Sequence, residues 1–333
     1  MDQIKSFKNS VPAIILMLLA PLIAEVLPGA TRFSSLFVFP IEVCVWGGGA
    51  LLIRYIVRKH KLGWVNMLLL SLALSIAEEF LIQQTSVAPM VLQIKGIVYA
   101  RAFGVNYVYL LWALIYETVF VVFLPVCLVE LIFPARKEEL WIGNRGLAIV
   151  ILLFFAGSFL AWFSWTQIAR INVFHVLPYH PQLHLILLAV GLIGGLIYIA
   201  IGPHRKKIVW SLEPFSPPPY WMLAMMGCLW AMTLYGLVLL GFGILPAFPT
   251  FIPMIVGLLL VITAICFLPR WTANEAWSSE YSFSIISGTI TGSMIAGFIG
   301  FIGAAPLDLY FKIIANAIAV ICMFMLFNRI KKH

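Results

Sequence analysis

The stretch from Trp64 to Gln83, WVNMLLLSLALSIAEEFLIQ, decides the fold. Trp64 to Ala77 carries no charge, and with the apolar residues that follow it is long enough to cross about 30 Å of hydrocarbon as a helix. Two glutamates, Glu78 and Glu79, then stand side by side in the run. A carboxylate at the bilayer centre costs roughly 2.5–3.5 kcal/mol even on the lenient insertion scale, so such side chains face a protein interior or a wet cavity. One segment therefore places the chain in a membrane and places something polar inside it.

Segments of the same kind recur along all 333 residues, of which 63% are apolar and only 10% charged, which excludes a soluble globular chain. The alternating ten-residue segments of a membrane β-barrel are absent. The expected fold is all-α: a polytopic helical transmembrane bundle of about ten spans with both termini cytoplasmic. The spans are read at 11–29, 33–57, 64–87, 104–133, 146–168, 182–202, 219–243, 250–268, 283–303 and 308–328. Lys5 and Lys8 before an apolar run also describe a signal peptide, but the run continues through Glu25 to Gly29 without a small-x-small cleavage site, so the first span is expected to be kept.

Orientation follows from the basic residues. One set of loops holds Lys5, Lys8, Arg58, Lys59, Lys61, Arg136, Lys137, Arg145, Arg205, Lys206, Lys207, Arg270, Arg329, Lys331 and Lys332. The other holds Arg32, Lys95, Arg101 and Arg170, with Lys312 just inside the last span. The net charge of +8 thus reads as cytoplasmic loops meeting anionic lipid, and no nucleic-acid partner is expected. Short loops fit a bacterial plasma membrane. The chain reads as a single integral domain, 1–333, with sub-bundles 1–202 and 219–333 joined by a cytoplasmic loop at 203–218. That loop holds a basic run from His204 to Lys207 and the rigid Pro217-Pro218-Pro219.

The expected orientation gives the acidic residues depths. Glu25, Glu42, Glu78, Glu79 and Glu117 fall at mid-to-outer depth on the first four spans, whereas Glu130 falls at the cytoplasmic end beside Arg136 and Lys137 as an interfacial ion-pair residue. On the third span Ser71, Ser75, Glu79 and Gln83 recur every four residues, which makes one polar stripe on a helix. Asn106, Tyr109, Ala113 and Glu117 make a comparable face on the fourth, and Gly47-Gly48-Gly49 beyond Glu42 lets another backbone approach. The expected site is a glutamate-lined pocket among spans one to four, open to the exterior, with Ser75 and Gln83 as neutral partners. Adjacent carboxyls in a low dielectric resist simultaneous ionisation, so Glu78 and Glu79 should exchange protons in coupled steps. That behaviour suits proton transfer, cation binding or general acid/base work. The competing reading is that protonated glutamates bond across helices and simply hold the bundle together.

His175, His180 and His184 share one external segment, and the four-residue spacing of His180 and His184 can present two imidazoles to a transition metal. No cofactor is required by the sequence, and a divalent metal would sit there or among the carboxylates. The five cysteines all lie in apolar spans and read as free thiols. Ser284, Gly288, Gly292, Ala296, Gly300 and Ala304 place a small residue at every fourth position of the ninth span, a ladder for helix packing or, through Gly288, Gly292, Ala296 and Gly300, for an oligomer seam. Asp308 and Lys312, four apart, are expected to cap the tenth span and pair locally.

The string Ala77-Glu78-Glu79-Phe80-Leu81-Ile82-Gln83 resembles the first signature of the CAAX-protease and bacteriocin-processing family of intramembrane proteases. In that family an arginine follows the second glutamate at the fourth position, where this chain has Gln83. The resemblance implies a Glu pair that activates water with histidines from later spans, so that Glu78, Glu79 and Glu117 would be catalytic. No later span carries the buried His with a following Asn or Asp that the family pattern expects. Three readings stand: a carrier for a small cation or basic solute with proton exchange, an intramembrane hydrolase, and a non-catalytic scaffold whose partners are lipid and protein.

Overall fold

Apolar length sets the elements. Nine helices among the described residues are long and apolar enough to cross a membrane: α2 (Phe33–Lys59), α3 (Trp64–Ile82), α4 (Tyr107–Ile132), α5 (Asn144–Val173), α6 (Leu183–Ile201), α7 (Tyr220–Leu239), α8 (Phe251–Thr272), α9 (Ser279–Phe301) and α10 (Pro306–Ile330). Before them α1 runs from Asp2 to Val26, with a shorter apolar stretch at Ser10–Val26. This computed structural model describes residues 2–91, 99–203, 213–239, 242 and 248–332, with backbone alone at 2–9. Lys95, the run His204 to Lys207 and the centre of the proposed 203–218 linker lie outside the described residues.

The protein is a helical, multi-pass integral membrane bundle. In both α3 and α4, 67% of the apolar stretch is buried, against 11% in α8 and α10, so α3 and α4 form the centre and the latter two the rim. The rim turns bare side chains such as Leu259, Ile262, Ile318 and Phe324 outward, as lipid contact requires. Backbones meet where the sequence supplies glycine. A Cβ on Gly47 would strike the backbone of Met17, which ties α2 to α1; one on Gly157 would strike Cys44, which ties α5 to α2.

The ladder on α9 is used inside the molecule. Cβ atoms on Gly288 and Gly292 would collide with the Ala224 and Cys228 carbonyls of α7, while Gly227 of α7 lies against the Ile285 carbonyl. Gly288, Gly292 and Ala296 are buried within the chain, whereas Gly300, the fourth residue of the expected seam, meets open space.

Several expected boundaries move for physical reasons. The fourth helix starts at Tyr107 because Arg101–Ala102 pairs antiparallel with Val105–Asn106, around Phe103 and Gly104 at φ +50° and +80°. Two positive φ values suit the tight turn of such a hairpin. The third ends at Ile82, and the next residues fold back as a buried segment rather than continuing the span. Asn106 and Arg101 pin it, donating to the Thr85, Val87 and Ala88 carbonyls.

Helices α1 to α5 share one irregularity, which in α5 is the π-helical stretch Phe163–Val173 and in the first four falls at the glutamates. Each of those four contains a π-helical turn: Leu22–Val26, Val43–Gly47, Glu78–Ile82 and Glu117–Phe123. These turns contain, begin at or directly follow Glu25, Glu42, Glu78 with Glu79, and Glu117. Within α-helices, single π turns mark functional positions frequently.

The end of the bundle expected to face the cytoplasm is a clamp. Arg54, 1% exposed, stacks on Trp141 at 3.2 Å and donates to Glu130 at 3.1 Å and to the Lys137 and Glu139 carbonyls. Arg58 holds both oxygens of Glu130 at 2.8 Å. Glu130 is the ion-pair residue expected, but with Arg54 and Arg58 from α2; Arg136 pairs with Glu139 instead.

Candidate functional site

Acidic side chains from four helices make one connected row. At the end expected to face outward, Glu42 accepts a hydrogen bond from the Thr31 hydroxyl, in the turn between α1 and α2. Glu42 is within electrostatic reach of Glu25, and Glu25 of Glu78. The Tyr116 hydroxyl binds Glu25 at 2.9 Å and also the Ala24 carbonyl. Glu78 interacts with its neighbour Glu79 and with Glu117 across the α3–α4 contact.

Glu79 and Glu117 approach each other closely enough for one carboxyl to donate to the other. A carboxyl–carboxyl hydrogen bond needs a proton between the groups, because an ionised carboxylate only accepts. Ser75, on the preceding turn of α3, donates to the Ala113 carbonyl of α4 at 3.4 Å and lies beside Glu117. Ser86, in the segment that folds back after α3, places its Oγ 2.5 Å from Glu79. That segment's anchoring by Asn106 is what puts Ser86 there.

Glu78 is different. It is 2% exposed, and neither of its oxygens has a hydrogen-bond partner among the described residues; Glu42 has one such orphan oxygen, Oε2. Burying an unpaired acid is costly, and native structures keep such groups rarely. No described lysine or arginine forms an ion pair with Glu25, Glu42, Glu78, Glu79 or Glu117; the arginines that do form ion pairs engage Glu130, Glu138 and Glu139.

Aromatic rings wall the row. Trp112 stacks on Tyr116 with centroids 4.6 Å apart, and Tyr235 of α7 stands edge-on to both at 6.0 Å. Tyr109 interacts with Glu25, Glu78, Glu79 and Glu117. The site thus includes α7, a helix from beyond the 203–218 loop, as well as the first four.

Several expected members sit elsewhere. The Gln83 side chain is half-buried and, among the described residues, makes no hydrogen bond to a glutamate side chain; its backbone N–H donates to the Glu78 carbonyl at 2.9 Å, closing the π turn at Glu78–Ile82 that delays the helix register. Ser71 bonds its own helix at the Met67 carbonyl. The expected open pocket differs too: Glu42, Glu78, Glu79 and Glu117 are all buried, with Thr31 over the Glu42 end.

His175, His180 and His184 are exposed, away from the buried row. No group of three His, Cys, Asp or Glu side chains among the described residues is gathered closely enough to hold a metal ion. The five cysteines are free.

Thr31, Ser86, Tyr116 and Tyr235 are neighbours of the row that periodicity does not reveal. Thr31 and Ser86 lie in connecting segments, where helical spacing carries no information. Tyr116 adjoins Glu117 in sequence, and its use of a different partner, Glu25 on α1, depends on helix packing. Compared with protein-family models, curated proteins and solved structures, the chain has no match in any of the three.

Proposed function

We propose that this membrane protein is a carrier that takes up a small cation or basic solute in exchange for protons held along the glutamate row. Glu79 and Glu117 store the shared proton, Ser75 and Ser86 fix that pair, and Glu78 and Glu42 meet the solute. Glu25 and Tyr116 link the outer and inner parts of the row. The chain works in a plasma membrane, bacterial by its loop lengths, with both termini in the cytoplasm.

The observation that carries this reading is the buried Glu78, neither of whose oxygens has a hydrogen-bond partner among the described residues, beside the closely approaching carboxyls of Glu79 and Glu117. An intramembrane acid without a structural partner is better accounted for by a mobile one, a proton or a solute, than by bundle stability. The hydrolase reading needs a histidine beside Glu78 and Glu79, and His184, its candidate, is exposed.

The test is solute-driven proton flux in proteoliposomes carrying a pH dye, screened with alkali cations and small amines. Wild type is expected to respond to at least one of them, and Glu79→Gln and Glu78→Gln to lose the response. Absence of flux with every solute, or unchanged flux in both variants, would contradict the proposal.

A further inference from the structure

The last two helices reach back over the first turn of the molecule. Asp308 and Lys312, four apart on α10, do not pair with one another. The Asp308 carboxylate accepts from the Ser34 backbone N–H at 2.9 Å and from its hydroxyl at 3.0 Å. Lys312 Nζ donates to the Leu27 and Pro28 carbonyls at 2.8 and 3.1 Å, where α1 ends. Arg32 adds a bond to the Gly300 carbonyl at 2.8 Å and covers the Phe301 ring. The turn between α1 and α2 is therefore fastened at three points to the hairpin of α9 and α10.

That turn is also the cover of the acidic row. It carries Thr31, which sits on Glu42, and it starts two residues after Glu25. Lys312 is 1% exposed and has no carboxylate partner; two carbonyls and the faces of Phe298 and Phe301 are what hold its ammonium. A buried cation held by neutral dipoles alone is a weaker fastening than an ion pair, because its desolvation is less fully offset. If Lys312 withdraws, the Leu27 and Pro28 carbonyls lose their donor and the turn loses its inner anchor.

We infer that the turn spanning residues 27–35 is an outer gate on the glutamate row, held shut by Lys312 and Asp308 of the last helix. This regulation rests on the proposed carrier reading, in that a gate matters only to a site that is entered. Opening lifts Thr31 from Glu42 and admits water and solute to the outer carboxyl first.

The test is site-resolved carboxyl labelling of the full chain in liposomes, using a water-soluble carbodiimide with glycine ethyl ester and mass spectrometry. Lys312→Met keeps the side chain's apolar body, and Asp308→Asn is a milder second variant should the first not fold. The exposed Glu275, in a loop expected on the opposite face, serves as a reagent control in detergent-permeabilised vesicles, where both faces meet the reagent. Glu42 should react slowly in wild type and at least about tenfold faster in the variants, as a shift toward an open population requires. Equal Glu42 labelling in wild type and both variants would overturn the gate. Proton flux measured on the same vesicles separates the two claims. Faster labelling without flux in any protein leaves the gate and removes the carrier, whereas Glu79-dependent flux with unchanged labelling does the reverse.

Discussion

Glu78 and Arg54 are both deeply buried charged residue types on neighbouring helices, and their surroundings give opposite expectations. Arg54 has every donor nitrogen engaged and a ring beneath it. Replacing it with Met strips a partner from Glu130 and two carbonyls, and should cost roughly 3 kcal/mol, read as a lowered melting temperature in detergent. Glu78 has no partner to lose, so Glu78→Met should leave the melting temperature unchanged or raised, since an unsatisfied buried polar group is replaced by an apolar one of similar size. The same variant should abolish flux. A large loss of stability in Glu78→Met would move the residue from function to architecture. At this scale the sequence revealed the acids, because a glutamate in an apolar span is conspicuous. It hid Thr31 and Ser86, which are ordinary hydroxyls in turns until the fold carries them to Glu42 and Glu79.

At the scale of elements, the small-residue ladder of α9 was legible as a close-packing surface, but not as to its partner. The partner is α7, whose Ala224 and Cys228 backbone atoms occupy the space that side chains at Gly288 and Gly292 would need. Gly288→Val should therefore destabilise the protein by about 1–3 kcal/mol, as overpacking does. Gly300→Val, where a Cβ meets nothing within 4 Å, should be tolerated in the same thermal assay. Equal melting temperatures for the two variants would refute the α7–α9 seam. The π turns were illegible. Nothing in the residue types of Glu78–Ile82 distinguishes a π turn from an α turn, and strict four-residue spacing therefore kept Gln83 on a stripe that the real helix leaves.

For the whole molecule, hydropathy found the helical membrane class, and the charge asymmetry of the loops supplied an orientation. The expected division at 203–218 is crossed by the site itself: Tyr235 of α7 packs on Tyr116 and Trp112, and Leu234 and Ile290 are buried with the same core. A fragment ending at residue 202 should for this reason lack a cooperative melt, which circular dichroism in detergent would show. Above all, the account depends on Glu79 and Glu117 sharing one proton as part of a single row. Infrared difference spectroscopy on a pH step reads carboxyl C=O bands directly. The prediction is a protonated-carboxyl band in wild type that Glu79→Gln and Glu117→Gln each abolish or displace as a whole. Two bands, one removed by each substitution with the other untouched, would mean independent acids and would contradict the account.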